Sequence, residues 1–221
     1  MSIVVRLLAL SALVLRSHAD EGCESGWTRF DRPSGGWCIQ VFTSANTPLT
    51  TAAQQCENRG AVLSGVQSAD ELAHIHQTAS STLPANTGSL WVGAARTAAC
   101  VGKKLTATCT QKTSFRWTDG SATGTDGFSW FDASQPDNAH GGNQDCIAMF
   151  YAPSLTSVKG VLWPSGAMDD VACDGSQLSG ILERQIRGYV CGKAATVSTT
   201  EAPTTEGPAP PVFVTPPPWS P

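Results

Sequence analysis

Five oxygen-bearing side chains set the chemistry open to this sequence. Gln135, Asp137 and Gln144 lie around Pro136, Gly141 and Gly142, and Asp169 and Asp170 follow just before Cys173. Three carboxylates and two amide oxygens are hard donors, of the kind calcium gathers in sets of six to eight with backbone carbonyls and water. No clustered histidines or free thiols accompany them, which points away from zinc and copper. A solvated turn built from Asp, Asn and Gly is the competing reading of the same residues.

The elements that must position these residues follow from periodicity and turn chemistry. Residues 23–42 read as a hairpin turning at Gly35-Gly36, with Trp27, Phe30 and Trp37 as apolar partners. Residues 49–59 read as a helix with Leu49, Ala52, Ala53 and Cys56 on one face, stopped by Gly60. Ser68-Ala69-Asp70-Glu71 has the form of a capping box, in which Ser68 and Glu71 satisfy reciprocal backbone donors. It opens a second helix through about residue 78, with Leu72, Ile75 and Ala79 inward; His74 and His76, two apart, point in different directions and cannot share a metal.

A strand at 90–94 precedes an excursion at 97–113 that contains Cys100 and Cys109. Phe115 and Trp117 alternate as on a strand that Asp119-Gly120 turns. Residues 146–151 read as a strand with 160–163 as its partner, and 187–191 closes the sheet. The expected fold class is α+β: two helices, a mixed and mostly antiparallel sheet, and long loops converging at one end. Tryptophans 27, 37, 91, 117 and 130 read as core.

The ends of the chain differ from this middle. Residues 1–19 carry Arg6, an apolar run and Ser17-His18-Ala19, the pattern of a secretory signal peptide. Its removal takes Arg6 and Arg16, leaving 12 basic against 18 acidic residues, so no basic patch suggests nucleic acid or an anionic membrane. Residues 194–221 are rich in Thr and Pro, which predicts an extended, disordered and O-glycosylated tail with Phe213 and Trp219 exposed and no membrane anchor. Residues 20–193 then form one domain of a secreted protein. Its eight cysteines imply a disulfide framework, with 105 connectivities open.

Gln135-Pro136-Asp137, Gln144-Asp145-Cys146, Asp169-Asp170-Val171-Ala172-Cys173 and Gly188-Tyr189-Val190-Cys191 resemble, in this order, the carbohydrate-recognition domain of C-type lectins. Trp91-Val92-Gly93, and Trp117-Thr118-Asp119-Gly120 with Trp130, resemble that family's strand motif and the run before its calcium loop. The resemblance covers roughly residues 23–192 and implies a C-type lectin-like fold. It pairs Cys56 with Cys191, Cys146 with Cys173 and Cys23 with Cys38, which leaves Cys100 with Cys109. It also implies a cis peptide at Pro136, Ca2+ bound by Gln135, Asp137, Gln144, Asp169 and Asp170, and a sugar contacting Gln135, Asp137, Gln144, Asp169 and His140.

Gln-Pro-Asp accompanies galactose-type ligands in that family. Gln144 and Asp169 stand where the family usually has Glu and Asn, so acid and amide are exchanged in the second pair as well, an arrangement that brings mannose back into consideration. Met168 replaces the common Trp, and no aromatic follows Asp137 to stack on a sugar. The leading expectation is therefore a secreted calcium-dependent protein that binds glycans or glycoproteins, with galactose or GalNAc ahead of mannose. A calcium-independent interaction module with the same fold is the alternative. A hydrolase is the third reading, and the histidines at 18, 74, 76 and 140 offer it no recognisable catalytic motif, so no enzyme is expected.

Overall fold

The structure is a computed structural model, and it describes residues 22–196. The leader at 1–19, with His18, and the tail from 197 onward, with Phe213 and Trp219, lie outside the described residues.

In chain order the elements are β1 (Thr28–Arg32), β2 (Gly35–Thr43), α1 (Leu49–Glu57), β3 (Val62–Leu63), α2 (Ala69–Thr82), β4 (Gly88–Trp91), β5 (Ala94–Arg96), β6 (Phe115–Trp117), β7 (Cys146–Tyr151), β8 (Thr156–Val158), β9 (Val161–Trp163), β10 (Met168–Val171) and β11 (Ile186–Ala194). The main sheet runs β1-β2-β11-β4-β7-β10, with β3 also pairing β11, and only the β11–β4 pair is parallel. This is the C-type lectin-like α+β fold. β7 is buried along its whole length, as an apolar run covered on both faces requires, and β10 is buried as well although it carries Asp169 and Asp170.

Two hairpins differ from the sequence expectation. β1 and β2 pair Arg32 with Gly35, so Pro33 and Ser34 make the turn and the two glycines begin β2. β9 pairs with β8, not with β7, because Lys159 and Gly160 adopt φ of 48° and 82° and fold Val161 back on Val158. The neighbours of β7 are instead β4 and β10, which puts Asp169 beside Ala148 and Asp170 beside Ile147.

α1 buries Ala52 and Cys56 against β11, and four disulfides fasten the frame: Cys23–Cys38, Cys56–Cys191, Cys100–Cys109 and Cys146–Cys173. α2 runs a turn beyond residue 78 and presses Ile75 and Ala79 into a core with Ile39, Leu90, Val92, Ile147 and Met149. Gly93 follows β4 where a Cβ would stand 2.0 Å from Leu63 O, so only glycine lets its N–H reach Ser64 O at 2.7 Å.

The Ser68 hydroxyl caps α2 by accepting Glu71 N–H at 3.3 Å, but the Glu71 carboxylate does not return to the cap. It pairs with Arg32 through both oxygens at 2.8 Å and accepts Gln67 N–H at 2.7 Å. Arg32 also reaches Asp119 Oδ2 at 2.8 Å, so one buried guanidinium joins β1, α2 and the turn after β6. An ion pair this deep is costly to break from one side because the other charge stays buried. Glu71→Ala is expected to cost about 3–5 kcal/mol and Ser68→Ala only about 1, a contrast that denaturant unfolding of the two variants will read directly.

Candidate functional site

The loop between β6 and β7 and the strand β10 bring the five sequence-predicted oxygen donors to one end of the sheet. The Gln135–Pro136 peptide is cis, and Pro136 is buried while Gln135 and Asp137 are half-exposed. Asp170 on β10 anchors the loop: its Oδ1 accepts Asp137 N–H at 3.0 Å and its Oδ2 accepts Asn138 N–H at 2.9 Å. Asn138, at φ 44°, then accepts Gln144 N–H at 3.1 Å through Oδ1, which carries the chain back toward Cys146. Asp145, His140 and the two glycines between them lie on the solvent side of that return or at its edge.

Two arginines that the sequence reading did not include complete the arrangement. Arg96, at the end of β5, forms an ion pair with Asp170 Oδ2. Arg184, from a 3-10 turn at Leu182–Arg184, places Nη2 2.9 Å from Asp169 Oδ2 and lays its guanidinium 3.8 Å over the Trp163 ring. Phe131 stacks on Trp163 with centroids 3.8 Å apart, so the arginine is backed by two aromatic rings. The Arg184 contact is one of charge: Nε and Nη2 are buried without a well-directed hydrogen bond.

Burial raises the Asp169 pKa, Arg184 opposes that rise, and the neighbouring carboxylates Asp137 and Asp132 add to it. Burial likewise pushes Asp170 up to about 6, against the Asn138 N–H bond and Arg96. Arg184 is shifted down by burial and up by Asp169, and a guanidinium remains charged at any physiological pH. Both aspartates thus have a buried cation of the protein's own.

The model of the family described as C-type lectin domain-containing protein 141/158 matches residues 28–194. The chain belongs to the C-type lectin domain family. Among solved structures, this C-type lectin domain is similar to the cow C-type carbohydrate-recognition domain of CD23, at 21% identity over 79% of this chain and 98% of that one, with TM-score 0.50. It is also similar to the mouse scavenger receptor C-type lectin carbohydrate-recognition domain (21% identity, 79% and 100% coverage, TM-score 0.48). A Ca2+-dependent type II antifreeze protein in its Ca2+-free form is a third (20% identity, 78% and 100% coverage, TM-score 0.48). No curated protein matches the chain.

The resemblance of the Gln135-Pro136-Asp137 run to a calcium loop makes calcium the ion to test against these residues. Gln144 Oε1 is buried with no donor, as a metal ligand would be, while its Nε2 donates to Gln177 Oε1 at 3.1 Å. The rest of the set argues the other way. Asp169 and Asp170 already face Arg184 and Arg96, and both Asp170 oxygens accept backbone N–H groups. Among the described residues no group of three His, Cys, Asp or Glu is placed to share a metal. One amide oxygen does not outweigh two guanidinium charges beside the carboxylates that a divalent ion needs, so the residues as arranged do not fit calcium.

His140 lies in the loop itself, and the other described histidines fall elsewhere. His74 packs on the Phe30 ring, and His140 is exposed with φ 50°. His76 Nδ1 lies 3.1 Å from Ser165 Oγ and has its pKa lowered by burial. Arg96 carried one sequence signal, since it shares a face of β5 with Ala94, which is 4% exposed. Arg184 carried none, coming from an irregular segment after Cys173.

Removing either partner of the Asp169–Arg184 pair leaves a buried charge alone. Asp169→Ala and Arg184→Ala are each expected to cost about 3 kcal/mol or more, whereas the double variant is expected to cost clearly less than their sum. Additive costs in a denaturant double-mutant cycle would mean that the pair is not coupled.

Proposed function

We propose that this domain is an extracellular recognition module that binds carbohydrate hydroxyls at Gln135 and Asp137, without a calcium bridge. The observation that supports this reading is the unused half of each side chain. Gln135 Oε1 accepts Asp137 N–H at 3.1 Å, and Asp137 Oδ1 accepts Ala139 N–H at 3.1 Å. The Gln135 amide N–H groups and Asp137 Oδ2 make no hydrogen bond among the described residues and sit on half-exposed side chains. A sugar hydroxyl accepts and donates at once, and an amide beside a carboxylate meets both needs.

The Gln-Pro-Asp order favours galactose or GalNAc on glycans and glycoproteins over mannose, by family resemblance. His140 is a second contact on the exposed side of the loop. Four disulfides and the signal-like leader support a secreted protein. Two net hydrogen bonds supply about 1 kcal/mol each, short of the roughly 4 kcal/mol that a millimolar Kd requires. Useful binding therefore depends on clustered sites or ligands. Gln144 Oε1 favours a second reading, in which Arg184 releases Asp169 and calcium bridges the sugar to Gln135, Asp137, Gln144, Asp169 and Asp170.

Retention on multivalent galactose and mannose surfaces, in calcium and in chelator, separates the two. Galactose is expected to retain the protein equally in both buffers, with Asp137→Ala weakening retention by about tenfold or more. Release of the wild-type protein by chelator would establish the calcium-bridged reading in its place, and undiminished retention of Asp137→Ala would move the ligand away from this loop.

A further inference from the structure

The excursion at 97–113 carries Lys103, Lys104 and Lys112 and no acidic residue, in a chain whose acidic residues outnumber its basic ones. All three lysines are exposed, and none has an ion-pair partner among the described residues. Arg29, Arg32, Arg96 and Arg184 by contrast each face a carboxylate. The excursion is fastened to the site loop. Cys100–Cys109 closes it, Gln111 Nε2 donates to Asp132 O at 3.0 Å and to Gln135 O at 2.9 Å, and Trp130 Nε1 donates to Gln111 O at 3.0 Å. Gln111 thus holds the backbone of Gln135, and Lys112 is the next residue along the chain.

Between the two segments lies an open cleft of about 410 Å³, lined by Leu105, Thr106, Thr110, Gln111, Lys112 and Ala133. Small-ligand sites run from roughly 300 to 1,000 Å³, so a sugar residue is within its size. Most of its polar lining is already used. Thr106 Oγ1 accepts Cys109 N–H at 2.9 Å, Thr110 Oγ1 and Thr113 Oγ1 lie 3.0 Å apart, and the Gln111 amide nitrogen is spent on the site loop. Lys112 is the one charged side chain in the lining, and its ammonium makes no hydrogen bond among the described residues.

We infer that this cleft is an acidic-sugar subsite: a carboxylate or sulfate on the glycan meets Lys112, with Lys103 and Lys104 adding to the field, while neutral hydroxyls occupy Gln135 and Asp137. The inference rests on the sugar-binding reading of that loop. The charges of the two segments fix the orientation, since Asp132 and Asp137 repel a ligand's negative group from the loop itself and the three lysines attract it to the excursion. Little ordering is needed on binding, because the disulfide and Gln111 already hold the cleft wall and Arg96 Nη1 reaches Lys103 O at 3.4 Å.

Binding of the full chain and of Lys112→Gln to arrays of galactose, sialylated galactose and sulfated galactose tests this. An acidic array is expected to bind the wild-type protein about two- to fivefold more tightly per site than the neutral one. That advantage is expected to vanish in Lys112→Gln and in about 1 M salt, where screening reaches about 3 Å, while Lys112→Gln keeps its hold on neutral galactose. Preference for the sialylated array alone would assign the subsite to a carboxylate, and for the sulfated array alone to a sulfate. Equal binding of neutral and acidic arrays, or an acidic preference that survives Lys112→Gln, would overturn the inference. Amide NMR shifts on titration with the free sialylated or sulfated sugar separate it from the reading it rests on. Shifts at both Lys112 and residues 135–139 are expected. Shifts at Lys112 without any at 135–139 would sink the Gln135–Asp137 reading and leave the acidic subsite standing, and shifts at 135–139 alone, or at neither place, would overturn the subsite.

Discussion

The loop end of this domain depends on one carboxylate. Asp170 is fully buried and accepts from the backbone of Asp137 and Asn138 while it faces Arg96. Without that acceptor the Asn138 N–H would be buried unpaired, costing about 1–3 kcal/mol, and Asp137 N–H would keep only Gln135 Oε1. Without Arg96 the carboxylate itself would stand uncompensated in a dry interior. The positions of Gln135 and Asp137, and so of whatever they bind, follow from that pairing.

The same device occurs at a second place in the domain. Arg32 gathers Glu71, Asp119, Ser64 and the Gly65 carbonyl, and the Trp37 ring lies 4.9 Å from its Cζ. There the arginine joins β1, α2 and the turn after β6, whereas Arg96 joins an insertion, a loop and β10. Both solve the problem that long irregular segments pose, namely that their backbone groups outnumber the partners a sheet can offer. A buried guanidinium with five donors meets carbonyl and carboxylate oxygens that no ladder reaches.

Much of the frame was legible because its signals are local. The Gln-Pro-Asp run, the tryptophan motifs, the α2 cap at Ser68 and the cysteine positions are properties of a few neighbouring residues. The errors arose where a choice of partner was needed. Val161–Trp163 is a short apolar strand whose composition is compatible with either neighbour, and the positive φ at Lys159 and Gly160 sends it to β8. Glu71 fits a capping box by spacing, but Arg32, 39 residues away, takes its carboxylate. Arg96 lies 74 residues from Asp170, so nothing in the acidic run itself tells that its charge is already balanced.

That distinction bears on how the proposed site would take a sugar. A calcium ion contributes twice, by holding the loop and by offering open coordination positions to two hydroxyls. A guanidinium held inside the loop can do only the first, because its donors are spent on Gln144, Lys103 and Asp170. In the proposed reading, structural order and ligand bonding, joined in a metal-bridged lectin, are separated: Asp170 and Arg96 maintain the loop, and Gln135, Asp137 and His140 are left for the ligand. Affinity per site then falls to that of a few exposed hydrogen bonds, while the shape that presents them no longer changes with calcium. A domain of this kind suits dense, repeated ligands, where many weak contacts add, better than a single scarce glycan.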